Sequence, residues 1–338
     1  MGPILPNCLP CGKAGRLQIR CCQRIAVVYY SFTLDALALK PSGFCNVRVI
    51  GGPQVVSERK RDVSTIVVWI VIILALCWSF FPFYWAIITS FKPPGVILTK
   101  PSLVPFLQFK PTLFNWRNEY ITRGREITAA LMNSLMIAGG ATLVAVSLGT
   151  LAGYGLARFR FRRWKNKDMT LWFLSQRFLP PMATAIPFFI MMKTFHLLDT
   201  RLALIITNAT FTMPFAVLIL RDVFKELPVE LEESAWVDGA SRFGAFWRIT
   251  LPLAAPAIAV SAVLCFAFSW NEFLFALILT YKSAQPITVI IAGVEHTQGI
   301  QFWFVATRLL AAILPPAILV LAVQRYIVRG LTFGAIKG

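Results

Sequence analysis

Arg221-Asp-Val-Phe-Lys-Glu-Leu-Pro228-Val-Glu-Leu-Glu-Glu233-Ser-Ala235-Trp-Val-Asp238-Gly239-Ala240-Ser-Arg-Phe-Gly-Ala-Phe246-Trp-Arg-Ile249-Thr-Leu251-Pro252 is a polar island between two long apolar runs. Pro228 suits the entry to a helix, where a missing N–H costs nothing. Glu230, Glu232 and Glu233 follow where the helix dipole favours acids. Gly239 permits a tight turn or a left-handed cap. Phe243, Phe246, Trp247 and Ile249 then recur at near-helical spacing, and Pro252 is expected to stop this second piece. The segment reads as a compact helix–turn–helix, apolar on one side and acidic on the other. A helix resting on lipid is usually basic, so a docking element for a partner fits better, with Glu233 and Asp238 offered to a basic residue.

The flanking runs set the class. Of 338 residues, 57% are hydrophobic and only 14% charged, against about 25% charged in an ordinary soluble domain. The mean hydropathy is +0.68. A soluble fold, a disordered chain, a coiled coil and a collagen-like chain all fail on these figures. A membrane helix needs about 20 mostly apolar residues. Six stretches qualify, at 64–91, 129–157, 169–192, 202–220, 255–280 and 304–324. The first is too long and starts too late for a cleaved signal peptide. Pro82, Pro180, Pro181, Pro187, Pro214, Pro315 and Pro316 fall within the spans. In lipid such bends persist where neighbouring helices or a cavity satisfy the freed carbonyl.

Loop charge gives the orientation. Arg158-Phe-Arg160-Phe-Arg162-Arg163-Trp-Lys165-Asn-Lys167 has six basic residues in ten positions, a strong cytoplasmic mark after the second span. Both chain ends then lie inside. Lysine and arginine number 22 inside, 9 outside and 2 within spans, namely Arg177 and Arg308. The loop from Lys92 to Thr128 dissents, with six basic residues on the outer side. The formal charge of +18 is thus divided among membrane-flanking loops, and no nucleic-acid patch is formed.

Five of seven cysteines, Cys8, Cys11, Cys21, Cys22 and Cys45, lie in a basic arm over 1–62. Cys8-Leu-Pro-Cys11 has the C-x-x-C spacing, but a tetrahedral zinc site needs four ligands, and His196 and His296 are far away. An unstructured leader, or a start codon placed too early, is the expectation for this arm, and no metal is assigned. Cys77 and Cys265 read as packing residues.

The polar island resembles the signature E-A-A-x-x-D-G-A-x5-F-x-x-I-x-L-P of the membrane subunits of binding-protein-dependent ATP-binding-cassette importers. Glu233, Ala235, Asp238, Gly239, Ala240, Phe246, Ile249, Leu251 and Pro252 are in register, and Ser234 replaces the first alanine. Asn133-Ser134, Tyr154-Gly-Leu-Ala-Arg158, Ser269-Trp270-Asn271-Glu272-Phe273 and the ending Arg329-Gly330-Leu331-Thr332-Phe-Gly334-Ala335-Ile-Lys337-Gly338 extend the likeness. Together they resemble the carbohydrate-uptake branch, and within it the second permease of maltose-type systems. The likeness covers roughly residues 62–338.

That resemblance implies an all-α membrane protein, a six-transmembrane-helix bundle of the type I importer permease class, with both termini cytoplasmic. It implies a domain over 63–338 with a coupling segment at 225–252, in a bacterial cytoplasmic (inner) membrane. The partners implied are a second permease in a heterodimer, two copies of an ATPase and an extracytoplasmic sugar-binding protein. No G-x-x-x-x-G-K-[ST] loop occurs in this chain, so ATP and Mg would belong to the partner ATPase. By similarity Glu233 pairs with a basic residue of the ATPase, Gly239 sets the turn, and Phe246 and Leu251 fill apolar contacts. Gly330, Leu331, Thr332, Gly334, Ala335 and Lys337 reach between the ATPase copies, and the outer loop from Tyr281 to Trp303 meets the binding protein. Asn133, Trp270, Asn271 and Glu272 are translocation-path candidates, although in maltose-type systems the other permease makes most sugar contacts. Glu272 admits a proton relay or bundle-facing contacts, with Arg177 a conceivable partner. A proton-coupled carrier would show more intramembrane acids and an internal repeat. A membrane enzyme would show a catalytic constellation, and an importer of another solute stays open.

Overall fold

The computed structural model describes residues 63–99, 102–293, 295–296 and 299–335. The arm over 1–62, with its five cysteines, lies outside the described residues. Val67–Gly338 forms one compact unit. Its helices are α1 (Val63–Phe91), α2 (Pro94–Thr99), α3 (Phe114–Arg158), α4 (Asn166–Ser175), α5 (Pro181–Thr194), α6 (Arg201–Glu226), α7 (Glu230–Val237), α8 (Arg242–Ala245), α9 (Leu251–Trp270), α10 (Leu274–Leu279), α11 (Ile287–Ala292) and α12 (Phe302–Ala335). A small antiparallel hairpin, β1 (Glu295–His296) with β2 (Gly299–Ile300), precedes α12.

Five helices among the described residues are long and apolar enough to cross a membrane: Ile66–Phe91, Phe114–Arg158, Arg201–Glu226, Arg242–Trp270 and Phe302–Gln324. The third expected span is not one helix. It is α4, a short 3-10 turn at Gln176–Phe178, and α5. Leu179 and Pro180 are extended between them, because a residue before proline is pushed out of the helical region and each of these precedes one. The fifth is also interrupted: α9 ends at Trp270, and α10 begins only at Leu274. Pro252 does not stop its helix. Arg242–Trp270 is continuous, with a π-turn at Phe246–Thr250 where the Leu251 N–H reaches back to Phe246 O. A widened turn just before the proline absorbs its missing donor and its ring.

α3 is longer than the expected second span, because residues 114–128, expected as part of an outer loop, are helical too. Its 45 residues extend roughly 67 Å at 1.5 Å per residue, about twice the hydrocarbon thickness. α6 lies along it in the most extensive helix–helix contact of the molecule. Small residues permit the approach: Ala141, Ala145, Ala209 and Ala216 are buried in the seam. A Cβ added at Gly149 would stand 2.5 Å from Ala216 Cβ, and one at Gly153 would stand 2.9 Å from Arg221 N. Glycines four apart make one smooth face, which is how helices associate where lipid supplies no hydrophobic drive.

Two further clusters fill the ends of this pair. Toward the α3 amino end, Phe188, Phe211 and Phe275 pack among α5, α6 and α10, with Phe211 and Phe275 stacked at 5.0 Å. Toward its carboxyl end, Tyr154, Leu220, Phe224, Phe246 and Ala254 close α3, α6 and the π-turn together. α1 stands apart. Its side chains from Ile66 to Trp85 are largely exposed, and only its carboxyl end, at Ile88, Thr89 and Ser90, is buried.

Candidate functional site

Pro228 lies between α6 and α7, after the extended Leu227. α7 carries Glu230, Glu232 and Glu233 in its first turn. It ends in a Schellman arrangement: Ala240 N–H donates to Ala235 O at 2.9 Å, and Gly239 N–H donates to Trp236 O at 3.1 Å. Gly239 has φ +86°, and an added Cβ there would meet nothing within 4 Å. Glycine is therefore required for its backbone angle and not for space. Ser241 caps α8, its Oγ accepting from Gly244 N at 3.1 Å, and the Arg242 guanidinium lies 5.4 Å from the Trp236 ring centroid.

The three acids divide their work. Glu233 faces out with Asp238, whereas Glu232 is 2% exposed. Its Oε1 accepts from Arg158 Nε at 2.8 Å, and its Oε2 from the Tyr154 hydroxyl at 2.8 Å. Arg158 Nη2 also donates to Leu227 O at 3.0 Å. The last turn of α3 thereby grips both the start of α7 and the chain leading into it. Charge-assisted bonds of this kind are short and strong. Below them Tyr154 packs at 4.5 Å on Phe246 and edge-on at 5.6 Å on Phe224.

The residues in register with the importer signature are brought together, with unequal exposure. Glu233, Asp238 and Gly239 are exposed, and Ala235 is buried. Ala235, Asp238, Gly239, Ala240 and Ile249 line a concavity of about 350 Å³ between α7 and α8. Phe246, 3% exposed, points into the chain's own core with Leu251 beside it. The apolar groups left most exposed are Val237, Phe243 and Trp247, with Val229 and Leu231 less so. At the carboxyl end, Gly330, Leu331, Thr332, Gly334 and Ala335 continue the helical backbone of α12, and Lys337 lies outside the described residues.

The path candidates fall in two places. Trp270 is buried and stacks on Phe266 at 5.5 Å. With Asn271 it borders a groove of about 590 Å³ against α12. Glu272 does not pair with Arg177. Its carboxylate accepts from Phe275 N at 2.8 Å and Ala276 N at 3.1 Å, capping α10. Arg177 instead lies 3.4 Å from the Phe215 ring centroid. Asn133 is buried and engaged at both ends: its amide donates to Ser283 O and Gln285 O at 2.9 and 3.0 Å, and its Oδ1 accepts from Arg201 Nε at 2.7 Å.

Asn133 thus helps to hold the loop Tyr281–Gln285, and Asp199 holds it from the other side. One carboxylate accepts from the N–H groups of Tyr281, Lys282, Ser283 and Ala284 and from the Ser283 hydroxyl. Burial would raise the Asp199 carboxyl, but the Ser283, Lys282 and Tyr281 donors outweigh it and hold it well below the usual range. A second buried pair, Arg308 with Glu119, sits at the opposite end of α3 from Arg158. Arg308 Nε and Nη2 meet the two Glu119 oxygens at 2.8 and 3.3 Å, and Nη1 donates to Ile290 O at 2.8 Å. Reading the sequence flags Arg308 only as an ion inside a span. Its partner lies 189 positions away.

The family described as binding-protein-dependent transport system inner membrane component matches residues 127–333, which include all of α7 and α8. The trehalose/maltose transport system permease protein MalG of Thermococcus litoralis is 33% identical over 282 residues, covering 83% of this chain and 99% of that protein. The trehalose transport system permease protein SugB of Mycobacterium tuberculosis is 34% identical over 270 residues, covering 78% and 95%. The fold is similar to the crystal structure of a bacterial ABC transporter involved in the import of the acidic polysaccharide alginate. The TM-score is 0.66 at 18% identity, over 80% of this chain and 98% of the matched one.

Proposed function

Because the chain belongs to the family of binding-protein-dependent transport system inner membrane components, we propose that it is one permease subunit of an ATP-driven sugar importer. In this reading it pairs with a second, different permease. Two copies of an ATPase carry ATP and Mg on the cytoplasmic side, and a binding protein delivers sugar from outside. The chain itself holds no cofactor. It crosses the membrane six times, with the broken segment from α4 to α5 as the third crossing, and both ends lie in the cytoplasm.

The observation that carries the proposal is the clamped helix–turn–helix. α7 and α8 present Glu233, Asp238, Val237 and Phe243 outward, while Glu232 is fixed to the end of α3. ATPase closure would displace α7. The Arg158–Glu232 contact would pass that displacement to α3, and α6 would follow because the glycine seam leaves no room for slip. Rigid-body switching of a packed bundle needs such a stiff link. Sugar is favoured as cargo by the trehalose and maltose permeases among the relatives.

The test is co-expression with the second permease, the ATPase and the binding protein, followed by detergent purification and reconstitution. Glu233→Arg is expected to release the ATPase and abolish uptake of labelled trehalose or maltose, with the permease pair intact. An unchanged complex with normal uptake would sink the coupling assignment. A wild-type complex that takes up none of a disaccharide and polyol panel would sink the sugar assignment.

A further inference from the structure

The stretch between α1 and α3 folds back along α1 instead of standing away from it. The Tyr84 hydroxyl donates to Leu103 O at 2.8 Å. Lys92 Nζ lies 4.8 Å from the Trp85 ring centroid and 5.6 Å from that of Phe109. Asn115 Nδ2 donates to Ser90 O and Lys92 O, each at 2.8 Å. Tyr84 lies about 12 Å along the helix before Lys92, inside the apolar run. Leu103–Phe109 is thus drawn back alongside the carboxyl-terminal turns of a candidate membrane span.

At that level the loop turns its apolar side chains outward. Phe106 is 82% exposed and Leu107 86%, with Leu103 and Val104 also exposed. Several of its polar groups are satisfied within the loop, while Gln108 itself stays exposed. Gln108 Oε1 accepts from the N–H groups of Leu103 and Val104, Phe106 N–H donates to Phe109 O, and Gln108 N–H donates to Val104 O. Irregular backbone is excluded from the hydrocarbon layer itself, so this loop sits at the headgroup boundary, where its remaining groups reach water while apolar side chains dip inward. Phe106 is also held at φ +66°, an unfavourable region for a bulky residue, and that conformation throws its ring out at the tip. Lys110, and Arg117 and Arg125 along the start of α3, are exposed, with Glu126. The other acid, Glu119, is taken up by Arg308.

We propose that Leu103–Lys110 is a bilayer anchor. Phe106 and Leu107 enter the acyl layer of the leaflet at the carboxyl end of α1, the outer leaflet in the orientation above, and Lys110, Arg117 and Arg125 meet anionic headgroups. Apolar area plus attraction to anionic lipid is the usual basis of interfacial binding. The anchor also accounts for a basic outer loop in a chain whose other basic residues gather inside. It rests on α1 being a membrane span, not on the cargo or the direction of transport.

The test places a fluorine probe at the tip by amber suppression, Phe106→trifluoromethylphenylalanine, in the assembled complex in nanodiscs of phosphatidylcholine and phosphatidylglycerol. Dissolved oxygen is expected to perturb the 19F signal at least threefold more than an aqueous nickel chelate, and a doxyl-labelled lipid to broaden it. A nickel effect equal to or above that of oxygen would put the tip in water and overturn the proposal. Insensitivity to both would put it against another protein chain and overturn it equally. Removing phosphatidylglycerol, or introducing Lys110→Glu with Arg117→Glu, should cut the oxygen effect, and no dependence on lipid charge would overturn the headgroup contact. A complex that fails to move sugar would count against the permease reading and leave these measurements standing.

Discussion

Glu232 and Arg158 meet at 2.8 Å across 74 positions of sequence, with side-chain exposures of 2% and 8%. A buried pair of this kind is weak evidence of stability but a strong constraint on geometry, since removing one partner strands the other. Glu232→Gln should therefore destabilise the α3–α7 junction by on the order of 3 kcal/mol. Glu232→Met with Arg158→Met should recover much of the thermal stability in detergent while ATPase stimulation stays lost. Full coupling in the double variant would show that the pair positions nothing.

At Gly239 the requirement is angular. Gly239→Ala places a side chain at φ +86° in open space, for a cost of about 1–2 kcal/mol. Gly239→Asn should be milder, because asparagine tolerates that region. Thermal melting with retention of the ATPase on purification measures both, and equal damage from the two would point to crowding by a partner.

The α3–α6 seam offers a compensating swap. Gly149→Ala brings a methyl against Ala216 and should cost about 1–3 kcal/mol, as overpacking does. Adding Ala216→Gly should restore part of the melting temperature, since backbone at Ala216 and Val217 would still lie 3.2 Å from the new methyl. Gly153→Ala meets backbone at Arg221, so no side-chain change should rescue it.

Asp199 anchors the Tyr281–Ala284 turn through backbone donors. Asp199→Asn should speed amide exchange there roughly tenfold, because a charge-assisted bond at an exposed site contributes about 1.5 kcal/mol. Ser283→Ala, which keeps the backbone donors, should do less. The native carboxyl is held below its ordinary value. Its contribution is therefore complete above the unfolded value of about 3.9 and is lost only as pH falls through the lower native one. Wild-type exchange at this turn, corrected for intrinsic rates, should be flat from pH 5 to 8. A step inside that window would mean that Asp199 is not the key.

Much of this architecture is legible in the sequence because lipid leaves few options. Long apolar runs at α1, α3, α6 and α12 have one reading, and Pro228, the acidic turn and Gly239 mark α7 by local chemistry alone. Interruptions were harder to read. Apolar runs continue on both sides of Leu179-Pro180 and of Asn271-Glu272, so each reads as one span, although the paired prolines and a capping carboxylate are there to be read. Long-range polar partners were not legible. Glu119 reads as one more charge in an outer loop, and only the packing of α3 on α12 brings it to Arg308. Phe246 shows the opposite limit: its register with the importer signature suggests an interface, and its side chain is spent on Tyr154.

α3 carries an ionic anchor near each end, Glu119 to Arg308 and Arg158 to Glu232. Each residue inserted between them would rotate one anchor against the other by about 100° and shift it by about 1.5 Å. The helix therefore acts as a fixed-length gauge: outside the glycine seam its composition can drift, while its residue count cannot. Length variation among chains built this way should collect in the connecting loops, and a one-residue insertion in the middle of α3 should be far more damaging than a much longer one between Phe159 and Lys165.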